Sequence, residues 1–268
     1  MFPPERIVCL TEETVETLYL LGEERRIAGV SGYAVRPPQV RREKPRVSAF
    51  ISADFEKIVA LKPDLVLTFS DLQADIAAEL IRRNIAVHAF NQRDVAGIFA
   101  MIRTLGALVG VPEKAEALAV SLEDRLDEAR ERGEQLPRRP RVYFEEWDEP
   151  MISGLKWVSE LIEAAGGIEV FPQLAANKNA KDRIVGRDAV ITAAPDIIIG
   201  SWCGKKFVPA KVKARDGFAV IPAVRDNELH EIKSALILQP GPAALTDGLD
   251  QLVRIVGDWA SRVSSSVR

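Results

Sequence analysis

Three stretches of this chain carry residue types that could do chemistry. The first is Glu145-Glu146-Trp147-Asp148-Glu149-Pro150, where several carboxylates stand beside an indole. Such a set could hold a cationic or hydroxyl-rich group. The second is Ser201-Trp202-Cys203-Gly204-Lys205-Lys206-Phe207. It joins a flat ring, a glycine that permits close backbone approach and two ammonium groups, a mixture suited to an anionic or planar ligand. The third pairs Glu12 with Glu13 at a strand-to-helix turn, and Gln239 lies in a rigid Pro-Gly-Pro turn. Each has a plain alternative. The acidic run reads equally well as a solvated loop. The lysines could be hydrated with Trp202 packed on its own lobe. Helix-start stabilisation explains Glu12, and turn chemistry explains the prolines around Gln239.

Catalytic patterns do not accompany these residues. Paired carboxylates such as Glu145 and Glu146 could exchange protons. The chain nevertheless has no GxSxG elbow, no phosphate-binding P-loop and no GxGxxG opening a helix. The expectation is a binding protein, not an enzyme, with no resident cofactor. His88 and His230 are the two histidines and stand far apart in sequence, which argues against a dedicated metal-ion site. A metal would arrive inside a chelate. Cys9 and Cys203 are too few for a disulfide framework and read as free thiols. A net charge of −3 argues against nucleic acid as a partner. Arg41-Arg42 and Arg138-Arg139 are short and proline-flanked, as in solvated loops. No apolar run is long enough to cross a bilayer. The opening Met1-Phe2-Pro3-Pro4-Glu5-Arg6 has no signal-peptide pattern, so the chain read literally stays in the cytosol.

Positioning these residues falls to an alternating pattern of strands and helices. Strands are expected at 5–10, 26–30, 64–68 and 85–89, with helices at 54–60 and 74–83 and another capped by Thr11 and closed by Gly22. Residues 95–110 have helical spacing. A long one-sided helix is predicted over 113–135, interrupted only by Gly133. A second alternating region follows. Its strands are expected at 141–144, 195–199, 219–222 and 228–232, and its helices at 156–165, 188–193 and 209–215, with the last within 242–261. The run from Glu56 to Leu67 aligns without a gap on the run from Asp188 to Ile199. Each is a carboxylate-led helix, then Pro-Asp, then a buried strand. The predicted fold class is α/β, with two small Rossmann-like lobes of parallel sheet joined by one long backbone helix. The lobes are placed at 1–110 and 138–268 and the helix at 111–137. In such an architecture the cleft between lobes is the natural ligand site.

Val30-Ser31-Gly32-Tyr33, Pro37-Pro38, Val47-Ser48-Ala49-Phe50 and the run from Phe55 to Val66 resemble the N-terminal lobe of periplasmic cobalamin-binding proteins. These belong to the helical-backbone class of substrate-binding proteins, which also serves siderophores and haem. Ser153-Gly154, Trp157 to Leu161 and Ala165-Gly166-Gly167 fit the same family. The resemblance implies a solute-binding protein of an ABC importer that takes up a corrinoid vitamin or related metal chelate, works as a monomer in the periplasm and docks on permease subunits. It implies that Tyr33 and Phe50 face the ligand, with Phe50 standing where the family has a tryptophan. A second family tryptophan, six residues before the later docking carboxylate, falls here at Asp182. Trp147, Trp157 and Trp202 are the candidates to replace it. Glu56 and Asp188 match the two carboxylates presented to the transporter. The other reading of the same fold is a cytoplasmic carrier or sensor with no transporter.

Overall fold

The computed structural model describes residues 2–265 and contains two compact units. Among the described residues, one comprises 2–92 and 96–121, the other 93–95 and 122–265. Each is an α/β lobe around its own mostly parallel sheet.

In the first unit the elements run β1 (Ile7–Cys9), α1 (Glu12–Leu20), β2 (Ile27–Ser31), α2 (Val40–Glu43), β3 (Arg46–Ala49), β4 (Ser52–Ala53), α3 (Phe55–Ala60), β5 (Leu65–Phe69), α4 (Ala74–Arg82) and β6 (Val87–Phe90). Helices α5 (Val95–Leu108) and α6 (Pro112–Glu134) follow, and the chain passes into the second unit within α6. The sheet order is β4-β3-β2-β1-β5-β6, parallel except for β3 against β4. Val8, Leu10, Val47, Ile58, Val66, Ile76 and Leu80 form a buried core on it. Buried strands of Ile, Val and Leu are what a sheet covered on both faces requires. Strand order reverses at β1, so the loops after β1 and β5 flank a topological switch point.

The second unit continues with β7 (Arg141–Asp148), β8 (Met151–Ser153), α7 (Lys156–Ala164), β9 (Ile168–Glu169), α8 (Pro172–Ala175), α9 (Arg187–Ala193) and β10 (Ile197–Gly200). After these come α10 (Pro209–Lys213), α11 (Pro222–Arg225), β11 (Leu229–Glu231), α12 (Ser234–Ile237) and α13 (Leu249–Ser265). The order is β11-β10-β7-β8, with β9 also on β7. Gly133 in α6 is explained by a close approach. A Cβ there would stand 2.7 Å from the amide nitrogen of Gly166, in the turn after α7.

The internal echo extends to individual hydrogen bonds. The Asp64 carboxylate accepts from the Arg6 amide at 2.9 Å, and the Arg6 Nε donates to the Leu61 carbonyl at 2.9 Å. In the second unit the Asp196 carboxylate accepts from the Arg141 amide at 2.9 Å, and the Arg141 Nε donates to the Ala193 carbonyl at 2.9 Å. Lys62 and Ala194, equivalent residues before the prolines, both take positive φ, 48° and 43°. The same helix–Pro–Asp–strand device thus anchors a leading strand in each lobe.

Several expectations are corrected. Residues 219–222 are not a strand. A 3-10 turn at Phe218–Val220 runs into α11, because a short apolar run between Gly217 and Pro222 carries no period to separate strand from turn. Thr11 occupies the N-cap position of α1 but does not cap it; its hydroxyl donates to Glu13 at 2.7 Å. Glu145–Asp148 are not a loop but the second half of β7, paired with β8. Their charge suggested a loop, and cross-strand pairing with ion-pair partners overrides that preference.

Candidate functional site

The carboxyl ends of the parallel strands are where an α/β lobe offers a ligand surface. In the first unit that edge comprises the segments after β1, β2, β3 and β5. Tyr33 after β2 is 55% exposed, Ile51 after β3 is 73% exposed, and Leu72 after β5 is 54% exposed. Phe50 is half-buried beside Ile51. Large exposed apolar side chains at the ends of three strands of one sheet make a surface suited to a flat or greasy ligand. Ile51 and Leu72 were not singled out from sequence, since a lone apolar residue in a polar loop carries no periodic signal.

Gln73 holds this edge together. It is buried, and its Nε2 donates to the carbonyls of Leu10 (3.2 Å) and Phe50 (2.7 Å) while its Oε1 accepts from the Phe69 amide (2.9 Å). One amide thereby ties the ends of β1, β3 and β5 to one another. Ser70, at φ 57°, turns the chain after β5, and its Oγ accepts from the Leu72 amide at 3.3 Å.

Beside the switch point, Glu12 and Glu13 open α1. Glu12 is half-buried, and burial raises its carboxyl to about 6. Glu13 is buried, and burial together with the charge of Glu12 raises it to about 8, against weaker hydrogen bonds from Thr11 and Gln92. Burial thus favours the neutral form of Glu13. Cys9 is buried at the end of β1, with burial pushing its thiol up to about 12.

The corresponding edge of the second unit is charged and internally paired. Glu145 is 0% exposed, and its carboxylate accepts from Arg215 Nη1 (2.6 Å), Arg215 Nη2 (2.8 Å) and Trp202 Nε1 (2.9 Å). Both oxygens of this expected ligand residue serve the lobe itself. Trp202 is 2% exposed and lies edge-on to Phe207 at 5.0 Å, so its ring packs within its own lobe. Trp157 is buried too, donating to the Ile237 carbonyl at 2.9 Å. Arg183 is buried, and its guanidinium donates to Glu146 and to the Ser153 carbonyl.

Trp147 and Lys205 remain at the surface of this edge. The Lys205 ammonium bonds to Asp148 and lies 3.8 Å from the centroid of the Trp147 ring. Burial alone would raise the Asp148 carboxyl, but Lys205 more than offsets it and holds the group below its ordinary value. Gln239 is half-buried in the turn after α12. Neither Arg215 nor Arg183 was found from sequence, because nothing in a linear pattern says which arginine returns to a strand 70 or 37 residues away.

Glu56 and Asp188 are both exposed in the first turn of a helix, α3 and α9. Asp54, not Glu56, caps α3, accepting from the Lys57 amide at 3.1 Å. Glu56 receives Arg83 Nη1 at 2.8 Å, and Arg83 also bonds Glu79 at 2.8 Å. His88 lies edge-on to Phe90, with burial lowering its pKa, and His230 pairs with Glu228 at 2.9 Å. Among the described residues no group of three or more His, Cys, Asp or Glu could hold a metal ion, and no helix is long and apolar enough to cross a membrane. Neither Cys9 nor Cys203 is in a disulfide.

Known proteins resemble this chain in sequence and in fold. A vitamin B12-binding protein of Vibrio cholerae is 25% identical over 255 residues, which covers 94% of this chain and 88% of that protein. An uncharacterized ABC transporter substrate-binding lipoprotein of Bacillus subtilis, YvrC, is 25% identical over 260 residues, covering 94% of this chain and 80% of that one. Among solved structures, the periplasmic heme-binding protein RhuT from Roseiflexus sp. RS-1 shares the fold, with a TM-score of 0.81 at 23% identity over 94% of this chain and 99% of that one. The periplasmic binding protein family matches residues 7–236, which take in the sheets of both lobes. This chain belongs to that family, whose members bind solutes and are not enzymes.

Proposed function

We propose that this chain is the solute-binding protein of an ABC importer and that its solute is a corrinoid or a related flat metal chelate. The observation that carries this reading is the apolar edge of the first lobe, where Tyr33, Ile51 and Leu72 stand exposed at the ends of three strands of one sheet. A family of small-solute binders supplies the context. A broad π-surfaced or hydrocarbon-rimmed ligand covers such an edge, whereas a bare ion or a small sugar leaves it wet. The metal belongs to the solute and not to the protein. Phe50 adds a ring beside Ile51, and Glu12 offers a carboxyl close to neutrality.

In this reading the protein works on the outer side of the cytoplasmic membrane. Glu56 and Asp188 meet basic residues of the permease, one from each lobe. Both are exposed in the first turn of a helix, where charge pairing with a partner sets orientation and encounter rate. Native mass spectrometry of the protein as purified is the direct test. A retained corrinoid or other chelate is the expected result, and calorimetry with cyanocobalamin should then give saturable binding. Retention of a free amino acid, sugar or bare metal ion in its place sinks the reading.

A further inference from the structure

We propose that the ring face of Trp147 is a stacking site for a flat ligand, and that Lys205 covers this face until such a ligand displaces it. This rests on the proposed function only in the ligand class it names. The indole is held in place. Trp147 lies on β7 opposite Ile152 of β8, and its Nε1 donates to the Glu149 carbonyl at 2.9 Å. With the ring edge so fixed, the face is what remains for contact. An ammonium now occupies that face, with Lys205 Nζ 3.8 Å from the ring centroid and bonded to Asp148. The same nitrogen lies 5.3 Å from the Trp202 ring. A cation over an indole makes the attraction that a stacked ring would have to replace.

The segment that delivers Lys205 differs from the platform beneath it. Its two feet are anchored. At one end Trp202 is buried against Glu145, and the Ser201 amide donates to the Glu145 carbonyl at 2.9 Å. At the other, Phe207 is buried against Gly200, where a Cβ would stand 1.9 Å from its ring, and the Phe207 amide donates to Glu231 at 2.9 Å. Between the feet, Cys203, Gly204, Lys205 and Lys206 are all exposed. Gly204 takes φ 74° with nothing within 4 Å of the place a Cβ would occupy. A glycine with open space around it lets the tip re-aim while the feet stay fixed. The Lys205 side chain is itself 37% exposed, so its ammonium can return to water at modest cost. Rotating it away uncovers the Trp147 face and leaves the buried Glu145–Arg215–Trp202 set unchanged.

The test uses the full chain with cyanocobalamin and with haemin, followed by calorimetry and ligand absorbance, in wild type, Lys205→Met, Trp147→Leu and the double variant. Removing the cover should tighten binding by about tenfold, the scale of one partly desolvated cation–π contact. Trp147→Leu should weaken it, and the gain from Lys205→Met should vanish in the Trp147→Leu background. A second readout is independent of affinity. In the free protein the Lys205 ε-methylene protons should resonate upfield through the indole ring current, and this shift should disappear on adding the probe. Weaker binding by Lys205→Met would make the lysine a ligand contact and overturn the cover. So would a gain that survives Trp147→Leu, or a ring-current shift that persists in the complex. Unaltered affinity in all three variants leaves the solute-binding reading standing and removes Trp147 from the site. Failure of both probes to bind either wild type or Lys205→Met overturns the cover and also tells against a flat solute.

Discussion

At the carboxyl end of its sheet the first lobe exposes Tyr33, Ile51 and Leu72, while the second lobe places a glutamate, an arginine and a tryptophan there in one buried network. The scaffolds beneath are alike. Arg6, Leu61 and Asp64 in one lobe repeat as Arg141, Ala193 and Asp196 in the other, with the same bonds at nearly the same lengths. One backbone device therefore supports two different surfaces. The apolar edge has unsatisfied hydrophobic area that a ligand can cover. At the charged edge Glu145 spends its carboxylate on Arg215 and Trp202, so we look for binding outside that network, at Trp147 and Lys205.

The sharpest way to break this contrast is to open the second lobe's network. Glu145→Ala leaves Arg215 and the Trp202 indole N–H without their acceptor, and should cost about 3–5 kcal/mol in denaturant unfolding. Glu145→Gln keeps an acceptor for Trp202 and should cost less. If Glu145→Ala is neutral, the network is not what shapes that edge. In the first lobe the comparable change is Gln73→Ala, which strands three backbone groups at the ends of β1, β3 and β5. A loss of about 2–3 kcal/mol is expected, with a loosened Phe50–Ile51 turn and weaker solute binding.

Titration offers a comparison of the lobes on equal terms. Each buries one carboxyl that burial lifts from the ordinary 4.5 to about 8, Glu13 in the first and Glu169 in the second. A folded pKa above the unfolded one means that the folded state holds the proton more tightly. Each group's contribution is therefore fully present below about 4.5 and is lost as pH rises towards about 8. Glu13→Gln and Glu169→Gln should each flatten the fall in melting temperature across that window, and should do so additively. A wild-type profile flat from pH 5 to pH 8 would falsify the assignment of both.

Smaller effects sharpen the likeness between lobes. Asp64→Ala and Asp196→Ala remove carboxylates that accept from equivalent backbone amides, and each should cost about 1.5–3 kcal/mol. Unequal losses would show that the repeat is geometric without being energetic. Phe50→Ala should weaken the bound solute by about 1–3 kcal/mol without altering stability to the same degree. Glu56→Arg with Asp188→Arg should leave stability and solute affinity within about 0.5 kcal/mol of wild type, since both are surface carboxylates, while uptake through the permease falls.

Periodicity and punctuation in the sequence suffice for much of the scaffold. Helical spacing from 113 onward, Pro-Asp before two buried strands, and the alternation of apolar runs specify two α/β units and the long helix, because each depends on local preference and on burial of a repeating face. The echo between residues 56–67 and 188–199 was legible for the same reason. The short strands β3, β4, β8 and β9 were not legible, since two to four residues carry too little period and form only when a neighbour supplies the ladder. The fate of the chemical residues was a tertiary matter. Glu145, Trp147 and Asp148 share one strand, yet Glu145 is buried under Arg215, 70 residues away, while Trp147 meets Lys205 at the surface. Charge and aromaticity were written in the sequence. Whether each group faced water, a ligand or another side chain depended on which distant segment folded back over it. Burial sets the strength of an ion pair and the availability of a ring, and only the packed structure decides burial.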